Sequence, residues 1–396
     1  MRKIRSIQDL SFVADQTDHA LTLFSGGLDS TYILKVLSTM NIKVTALAVD
    51  LGDGIDRARL QSITEHYGAD LIIENATEQF IESAVIPAIQ AQAQAMYMNM
   101  YPVSSSLSRP VIARIAVKTA AKLGCGAIVH TANQSQNSLR RLNGAIKHSG
   151  YRGFYGSPYE YSAITRTEKA SQLSISCMQD QRQGDVSSDS NLWCREYESG
   201  VLDNPEDFMI PESLFLWSQE NPSKQISEAS HQVRITFREG IPVSVNEQPM
   251  PVAELIKFLN TRVGAYKIGR YLGLEHLDQD EKVLEIREAP AARMLMEAYK
   301  HLEMAALPTG YLNYKNQQEQ IWTMEAVEGR WGSPLQQASR AFIQSSTEKV
   351  SGSVTYKLEK GMATAVSIVA REALYLTDRD LWEVQAARER SQRTLS

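Results

Sequence analysis

Short β-branched runs alternate with helical patterns through the first third of the chain. Ala20–Phe24 reads as a strand, Thr31–Leu37 as a helix, Val44–Val49 as a strand, Arg57–Tyr67 as a helix stopped by Gly68, and Leu71–Glu74 as a further strand. The clearest helical pattern is Arg109–Leu123, with Pro110 in its first turn and Gly124 just past its end, before the strand Ala127–His130. This alternation predicts an α/β fold, a parallel doubly wound sheet covered by helices on both faces, with ligands at the carboxyl ends of its strands.

From about Tyr151 the periodicity weakens and Gly, Ser, Gln and Pro become frequent, so Tyr151–Ser190 reads as a domain junction and a mobile region. The block Asn191–Glu372 mixes strand-like runs (Gln232–Arg238, Val350–Lys357) with helical ones (Pro251–Leu259, Ala291–Leu302), the signature of an α+β domain. From Asp378 a helical tail carries Leu381, Trp382 and Val384. The expected division is residues 1–175, residues 176–375, and a tail of residues 376–396 that docks on a neighbouring subunit.

Length and composition narrow the classes. The chain has 396 residues, 43% hydrophobic and 22% charged, which fits two globular domains and excludes a small binding module or a disordered chain. Forty-six acidic against forty-one basic residues leave a formal charge of -5, so no field grips nucleic acid or an anionic membrane. Cys125, Cys177 and Cys194 form neither a CxxC pair nor an even disulfide set, which points to a reducing compartment. The seven histidines show no HExxH or HxH spacing, so no protein-built metal site is expected. The N-terminus lacks the apolar core of a secretory signal, and the uncharged stretch Ser83–Ser108 carries Gln90, Gln92, Gln94, Asn99 and two prolines. A buried or interfacial helix and a cytoplasmic protein are expected.

The strand Ala20–Phe24 runs into Ser25–Ser30, SGGLDS, and then into a helix. Gly26 and Gly27 lack Cβ atoms, so the backbone can turn its N–H groups onto a phosphate while the helix start adds free donors. Ser25, Ser30 and Thr31 add hydroxyl donors. The loop lacks the lysine of GxxxxGK[ST] and is not GxGxxG, which fits an enzyme that holds pyrophosphate as a leaving group. Asp29 among phosphates requires Mg²⁺ or a positioned donor. The bland alternative is a glycine turn with a capping serine.

This loop resembles those of PP-loop ATP pyrophosphatases, which adenylate a substrate oxygen and release pyrophosphate. Phe80–Gln90 (FIESAVIPAIQ), Tyr101–Pro110 (YPVSSSLSRP), Asn191–Trp193 (NLW), Tyr197–Pro205 (YESGVLDNP), Phe237–Asn246 (FREGIPVSVN) and Ile268–Arg270 (IGR) follow in the order of the argininosuccinate synthase family, and the resemblance covers about residues 20–375. It implies an ATP site at Phe24, Ser25, Gly26, Gly27, Leu28, Asp29, Ser30, Thr31, Val49 and Arg109, with Mg²⁺ carried by the nucleotide. It implies a citrulline-like ligand at Tyr101, Ser106, Asn137, Arg141, Ser187 and Glu275. Asp29, Asn137 and Arg141 are the implied catalytic set. The family is tetrameric; here the chain stops shortly after Trp382, so a homotetramer or a dimer is expected.

The departures from the resemblance lie in the substrate pocket. The family's glycine-rich GATGKGNDQVR is TANQSQNSLRR here (Thr131–Arg141), with Asn133 in place of the aspartate-holding Thr and Ser138 in place of an Asp. Glu196 stands for a citrulline-contacting Ser, and Arg287 for a Tyr. Losing a charged partner for a desolvated ammonium costs about 2–5 kcal/mol. The reading is therefore an AMP-forming carbon–nitrogen ligase with its ATP half kept and its second-substrate pocket rebuilt. Arg287 either pairs with Glu196 or binds a carboxylate. An authentic argininosuccinate synthase using citrulline and aspartate, and an inactive nucleotide-binding regulator, are the alternatives. A tRNA sulfurtransferase would need a thiol pair and a basic face that the chain lacks. Arg141 beside Arg140 also fits a surface charge pair, Tyr101 a core aromatic, Glu275 a solvated carboxylate, and His130 a structural histidine rather than a base.

Overall fold

The computed structural model describes residues 3–95, 101–173, 186–219, 231–277 and 280–394. Its first half is built on a six-stranded parallel sheet in the order Lys3–Ile4, Phe154–Gly156, Ala127–Val129, His19–Leu23, Lys43–Asp50, Asp70–Asn75. The chain leaves His19–Leu23 toward Lys43–Asp50 on one side and returns to Ala127–Val129 on the other. The strand order therefore reverses at His19–Leu23, and the crevice at its carboxyl end is where such sheets bind ligands. The central residues of His19–Leu23 and Lys43–Asp50 are buried on both faces, as a helix-covered parallel sheet requires.

Helices begin earlier than the sequence pattern suggested. The first crossover helix is Leu28–Ser38, not Thr31–Leu37, because Gly27 caps it and Leu28-Asp29-Ser30 already form its first turn. The helix read as Arg109–Leu123 spans Ser105–Leu123, which puts Pro110 inside it rather than in the first turn. Ser104 starts it by accepting from the Leu107 and Ser108 N–H groups. Proline there removes one backbone bond, to the carbonyl four residues back. The stretch expected as a helix over Ser83–Ser108 is broken. A helical run over Thr77–Gln90, with a π-helical segment Ile81–Val85, is followed by a ribbon of Gln94–Ala95 and Tyr101–Pro102.

Part of the region read as a mobile junction belongs to the first sheet and its surround. Phe154–Gly156 pairs between Lys3–Ile4 and Ala127–Val129, and Arg166–Gln172 is a helix with a Thr165–Glu168 capping box. Cys177, and the middle of that junction, lie outside the described residues; Cys125 and Cys194 are free and buried.

The second half holds two antiparallel sheets. One runs Arg270–His276, Lys282–Glu288, Arg195–Glu198, Ser187–Ser190; the other runs Gln248–Pro249, Ile241–Val245, Gln232–Arg238, Gly352–Glu359, Met362–Ala370. Helices Val252–Gly264, Pro290–Ala306, Thr309–Val327 and Pro334–Gln344 build its core around Trp193, Tyr299, Trp322 and Tyr356. The expected tail helix is Arg379–Thr394. Among the described residues no helix is long and apolar enough to cross a membrane.

The two halves meet beside the crevice. The Leu192 N–H donates to the Leu51 carbonyl at 3.1 Å, Asn191 Nδ2 donates to Ser104 Oγ at 2.9 Å, and Arg195 pairs with Asp53 at 2.7 Å. The smaller antiparallel sheet thereby becomes the far wall of the crevice.

Candidate active site

The glycine loop is shaped by one left-handed residue. After His19–Leu23 the Phe24 N–H still bonds the Leu47 carbonyl at 2.9 Å, and the chain then turns at Gly26, whose φ is +70°. A Cβ on Gly26 would sit 2.5 Å from Leu60 Cδ2, and its carbonyl accepts from Arg59 Nη2 at 2.9 Å. Gly27 is extended, at φ −74°, and caps the helix. Ser25 Oγ accepts from the Gly27 N–H at 3.3 Å, and the Ser30 hydroxyl donates to the Gly27 carbonyl at 3.1 Å. Phe24, Ser25, Gly27, Leu28, Asp29 and Ser30 line a cleft of about 810 Å³, as does Val49. Gly26 acts through its turn. Thr31, expected as a phosphate donor, is fully buried and does not line the cleft.

The donor that Asp29 required is Lys169. Its Nζ lies 2.8 Å from Asp29 Oδ1 and 4.0 Å over the Tyr159 ring, while the Tyr159 hydroxyl donates to the Asp29 carbonyl at 3.0 Å. Burial pushes the Tyr159 phenol well up, helped by the Asp29 charge, so the ring keeps its proton. A lysine absent from the loop thus reaches the cleft from the helix Arg166–Gln172. The capping box Thr165–Glu168 could have revealed that helix in the sequence, but not its neighbour.

The other cleft wall carries Arg109, Asn133, Asn137, Ser138, Arg141, Ser187 and Glu196. Arg109 bonds Asp189 Oδ2 at 2.5 Å and Ser138 Oγ at 3.0 Å, which ties the helix Ser105–Leu123 to the strand Ser187–Ser190. Burial would lower the guanidinium, but Asp189 reverses this and raises it. Asn133 Oδ1 accepts from the Ser135 hydroxyl at 2.7 Å. His130 also lines the cleft. Burial pulls its imidazole down to about 4 against a bond to Asn143 Oδ1 at 3.1 Å, so it is a neutral structural ring.

Behind this wall lies a second cavity of about 370 Å³, lined by Tyr101, Ser106, Arg141, Glu196, Glu275 and Arg287 among others. Here the remaining sequence-derived positions meet. Glu275 Oε1 accepts from Arg141 Nη2 and from Asn137 Nδ2, both at 2.8 Å, and Oε2 accepts from Arg287 Nη2 at 2.5 Å. Arg287 also bonds Glu196 at 3.0 Å and Glu285, and its guanidinium stacks 3.8 Å from the Tyr101 ring. Of the two roles open to Arg287, the structure forms the pair with Glu196, which faces it across the ladder. Glu275 is buried rather than solvated, and Arg141 is buried rather than a surface charge.

Electrostatics sort the three carboxyls. Burial would raise Glu275, but Arg141 and Arg287 together hold it well below the usual range. Burial pushes Glu285 well up, reinforced by the Glu275 charge, and it raises Glu196 against the pull of Arg287. Burial lifts the Tyr101 phenol to about 12. Among the described residues no group of three or more His, Cys, Asp or Glu could hold a metal ion.

A parallel sheet with a glycine loop at its switch point and a second-half wall of arginines and carboxylates defines a two-part ATP-using enzyme. Family models describe the same two parts: the arginosuccinate synthase N-terminal HUP domain matches residues 20–168, and the arginosuccinate synthase C-terminal domain matches residues 186–394. The chain is 32% identical to argininosuccinate synthase of Dictyoglomus turgidum over 366 residues, 91% of this chain and 89% of that protein. It is 33% identical to that of Pyrococcus furiosus over 357 residues (89% and 85%), and 32% identical to that of Methanocaldococcus jannaschii over 367 residues (90% and 89%). The chain belongs to the argininosuccinate synthase family, a family of ligases that form carbon–nitrogen bonds at the expense of ATP.

Proposed function

We propose that this protein is an AMP-forming carbon–nitrogen ligase that adenylates a ureido or amide oxygen and condenses the activated carbon with an amine, through a second-substrate pocket that differs from its relatives'. One observation carries the reading: the loop Ser25–Ser30 and the side chains of Asn137 and Arg141 line the same cleft of about 810 Å³. Residues 1–175 would hold ATP, residues 176–375 would complete the substrate pocket, and residues 376–396 would join copies of the chain into a dimer or tetramer in the cytoplasm.

The pyrophosphate portion would rest on the N–H groups of the loop and the start of the helix Leu28–Ser38, with Lys169 supplying the cation. Mg²⁺ arriving on the nucleotide would be held by phosphate oxygens, with Asp29 the carboxylate at the loop, and would neutralise the leaving group. The ureido oxygen attacks the α-phosphorus and pyrophosphate departs; the amine then attacks the ureido carbon, loses a proton, and AMP leaves. The oxygen is itself the nucleophile of the first step, so no general base is required there.

Arg141 spends three N–H groups on Val327 O, Ser105 Oγ and Glu275, which leaves two of its five for charge developing on the guest. Asn137 gives both amide hydrogens to Glu275 and the His276 carbonyl, so it is a positioning residue that fixes Glu275. The pocket difference is supported by Ser138, which accepts from Arg109 instead of offering a negative charge to the amine.

Formation of AMP and pyrophosphate, with citrulline plus aspartate set against citrulline plus a panel of other amines, tests this reading. Turnover with amines other than aspartate is expected. Efficient turnover with aspartate alone would make the protein an ordinary argininosuccinate synthase, the reading its relatives' names favour, and ATP binding with no AMP under any condition would make it a regulator.

A further inference from the structure

We propose that Arg59 is a phosphate-binding residue of the larger cleft: it holds the Gly26 carbonyl with one N–H and offers the others to the pyrophosphate portion of ATP. The inference rests on the ATP reading above and deepens it by assigning a residue to the leaving group.

The helix Arg57–His66 starts beside the glycine loop. Asp56 caps it, accepting from the Arg59 N–H at 3.0 Å, and Leu60 packs under the turn, where a Cβ on Gly26 would lie 2.5 Å from its Cδ2. Leu60 is buried and Arg59 is exposed, so one neighbour packs the turn while the other stays open to solvent. Arg59 Nη2 donates to the Gly26 carbonyl at 2.9 Å, and Arg59 lines the cleft together with Ser25, Gly27, Asp29 and Ser30. A loop carbonyl left bare would repel a phosphate; the guanidinium covers it and brings a full positive charge.

Charge pairing separates Arg59 from other cations of the cleft. Lys169 faces Asp29 at 2.8 Å, Arg109 faces Asp189 at 2.5 Å and Arg141 faces Glu275 at 2.8 Å. Each of these charges is matched within the protein, whereas the pyrophosphate end of ATP brings several negative charges. Arg59, Arg166 and Lys282 also line the cleft, and among the described residues none of the three forms an ion pair. Of these, Arg59 is the one that bonds the loop.

The chemistry of the side chain fits the task. A guanidinium carries five N–H groups in a planar fork, of which Arg59 uses one on Gly26, and the rest suit the oxygens of one phosphate or of two adjacent ones. Gly26 belongs to the loop that receives the pyrophosphate, so AMP, which ends at the α-phosphate, leaves Arg59 untouched.

Calorimetric titration of the full chain with Mg²⁺ present tests this without turnover. The probes are α,β-methylene-ATP, inorganic pyrophosphate and AMP, each against the wild type, Arg59→Gln and Arg59→Lys. The glutamine variant keeps an N–H for the Gly26 carbonyl and removes the charge, and the lysine variant keeps the charge. Arg59→Gln should weaken the ATP analogue and pyrophosphate about 10- to 100-fold and leave AMP within about twofold. Arg59→Lys should return pyrophosphate to within about fivefold of the wild type. Wild-type pyrophosphate affinity in Arg59→Gln, a loss for AMP as large as for the ATP analogue, or equal losses in the two variants each overturn the inference. No binding of the analogue or of pyrophosphate by the wild type overturns it together with the ATP reading. Binding that depends on Arg59, without AMP formation from ATP with citrulline and any amine, sustains the inference and defeats the ligase reading.

Discussion

Lys169 Nζ sits 2.8 Å from Asp29 Oδ1 across a sequence separation of 140 residues, so the cation that the glycine loop lacks comes from a different helix. The pair places a positive charge next to the free N–H groups at the start of Leu28–Ser38, the surroundings that a pyrophosphate leaving group needs.

Lys169→Met should therefore lower kcat/KM for ATP by about 10- to 100-fold, in line with the loss of one charge-assisted contact of about 1.5–3 kcal/mol. Lys169→Arg should recover part of it. Steady-state kinetics with ATP varied check this, and a wild-type value in Lys169→Met would remove Lys169 from the nucleotide site.

Gly26→Ala should destabilise the loop and the fold by about 1–3 kcal/mol. The left-handed φ of +70° strains any side chain, and the new Cβ meets Leu60 Cδ2 at 2.5 Å. Denaturant unfolding together with ATP binding reads both effects, and an unchanged unfolding midpoint would show that the loop turns in some other way.

Arg287→Met strips the cation from Glu196, Glu275 and Glu285 and should cost about 3–5 kcal/mol, as removal of one side of a buried ion network does. Glu285→Gln should cost much less, because burial and the Glu275 charge already favour that carboxyl's neutral form. The same upward direction sets a sign. A carboxyl raised in the folded state loses stability as pH climbs above its unfolded value of about 4.3, so Glu285→Gln should flatten the fall in stability above that point. Equal losses in the two variants would contradict the assignment.

His130 governs the acid side. Its imidazole ionises near 6.5 in the unfolded chain and near 4 in the fold, so the unfolded chain binds a proton that the folded one refuses. Stability is whole above about pH 6.5 and falls by about 3 kcal/mol as pH drops to 4. His130→Gln should lose that slope when unfolding is followed at pH 4.5 and 7, and a wild-type slope in the variant would place the acid sensitivity elsewhere.

The doubly wound sheet was legible because its long buried strands and crossover helices carry their periods openly. Lys3–Ile4 and Phe154–Gly156 were not, since two or three residues cannot display a period, and part of a sheet was read as a mobile junction. The helix was started at Arg109 rather than Ser105, because Ser104, Ser105, Ser106 and Ser108 give no apolar period and burial rather than pattern makes them helical. In the site, the glycine loop was legible from residue type and order, while Asn137, Arg141 and Glu275 came only from the family resemblance, and their mutual hydrogen bonds are what the structure adds. The partner of Arg287 was not, because it depends on the register that sets Glu196 opposite it, and Lys169 gave no local signal of its contact with Asp29.

The central claim is that a guest's carbonyl oxygen attacks the α-phosphorus of ATP over the Ser25–Ser30 loop. Incubation of the protein with ATP, an amine panel, and citrulline labelled with ¹⁸O in the ureido group tests it most directly. One labelled oxygen in the AMP phosphate, with pyrophosphate as the co-product, is the result this account predicts. AMP free of label, or ADP and phosphate as the products, would contradict it.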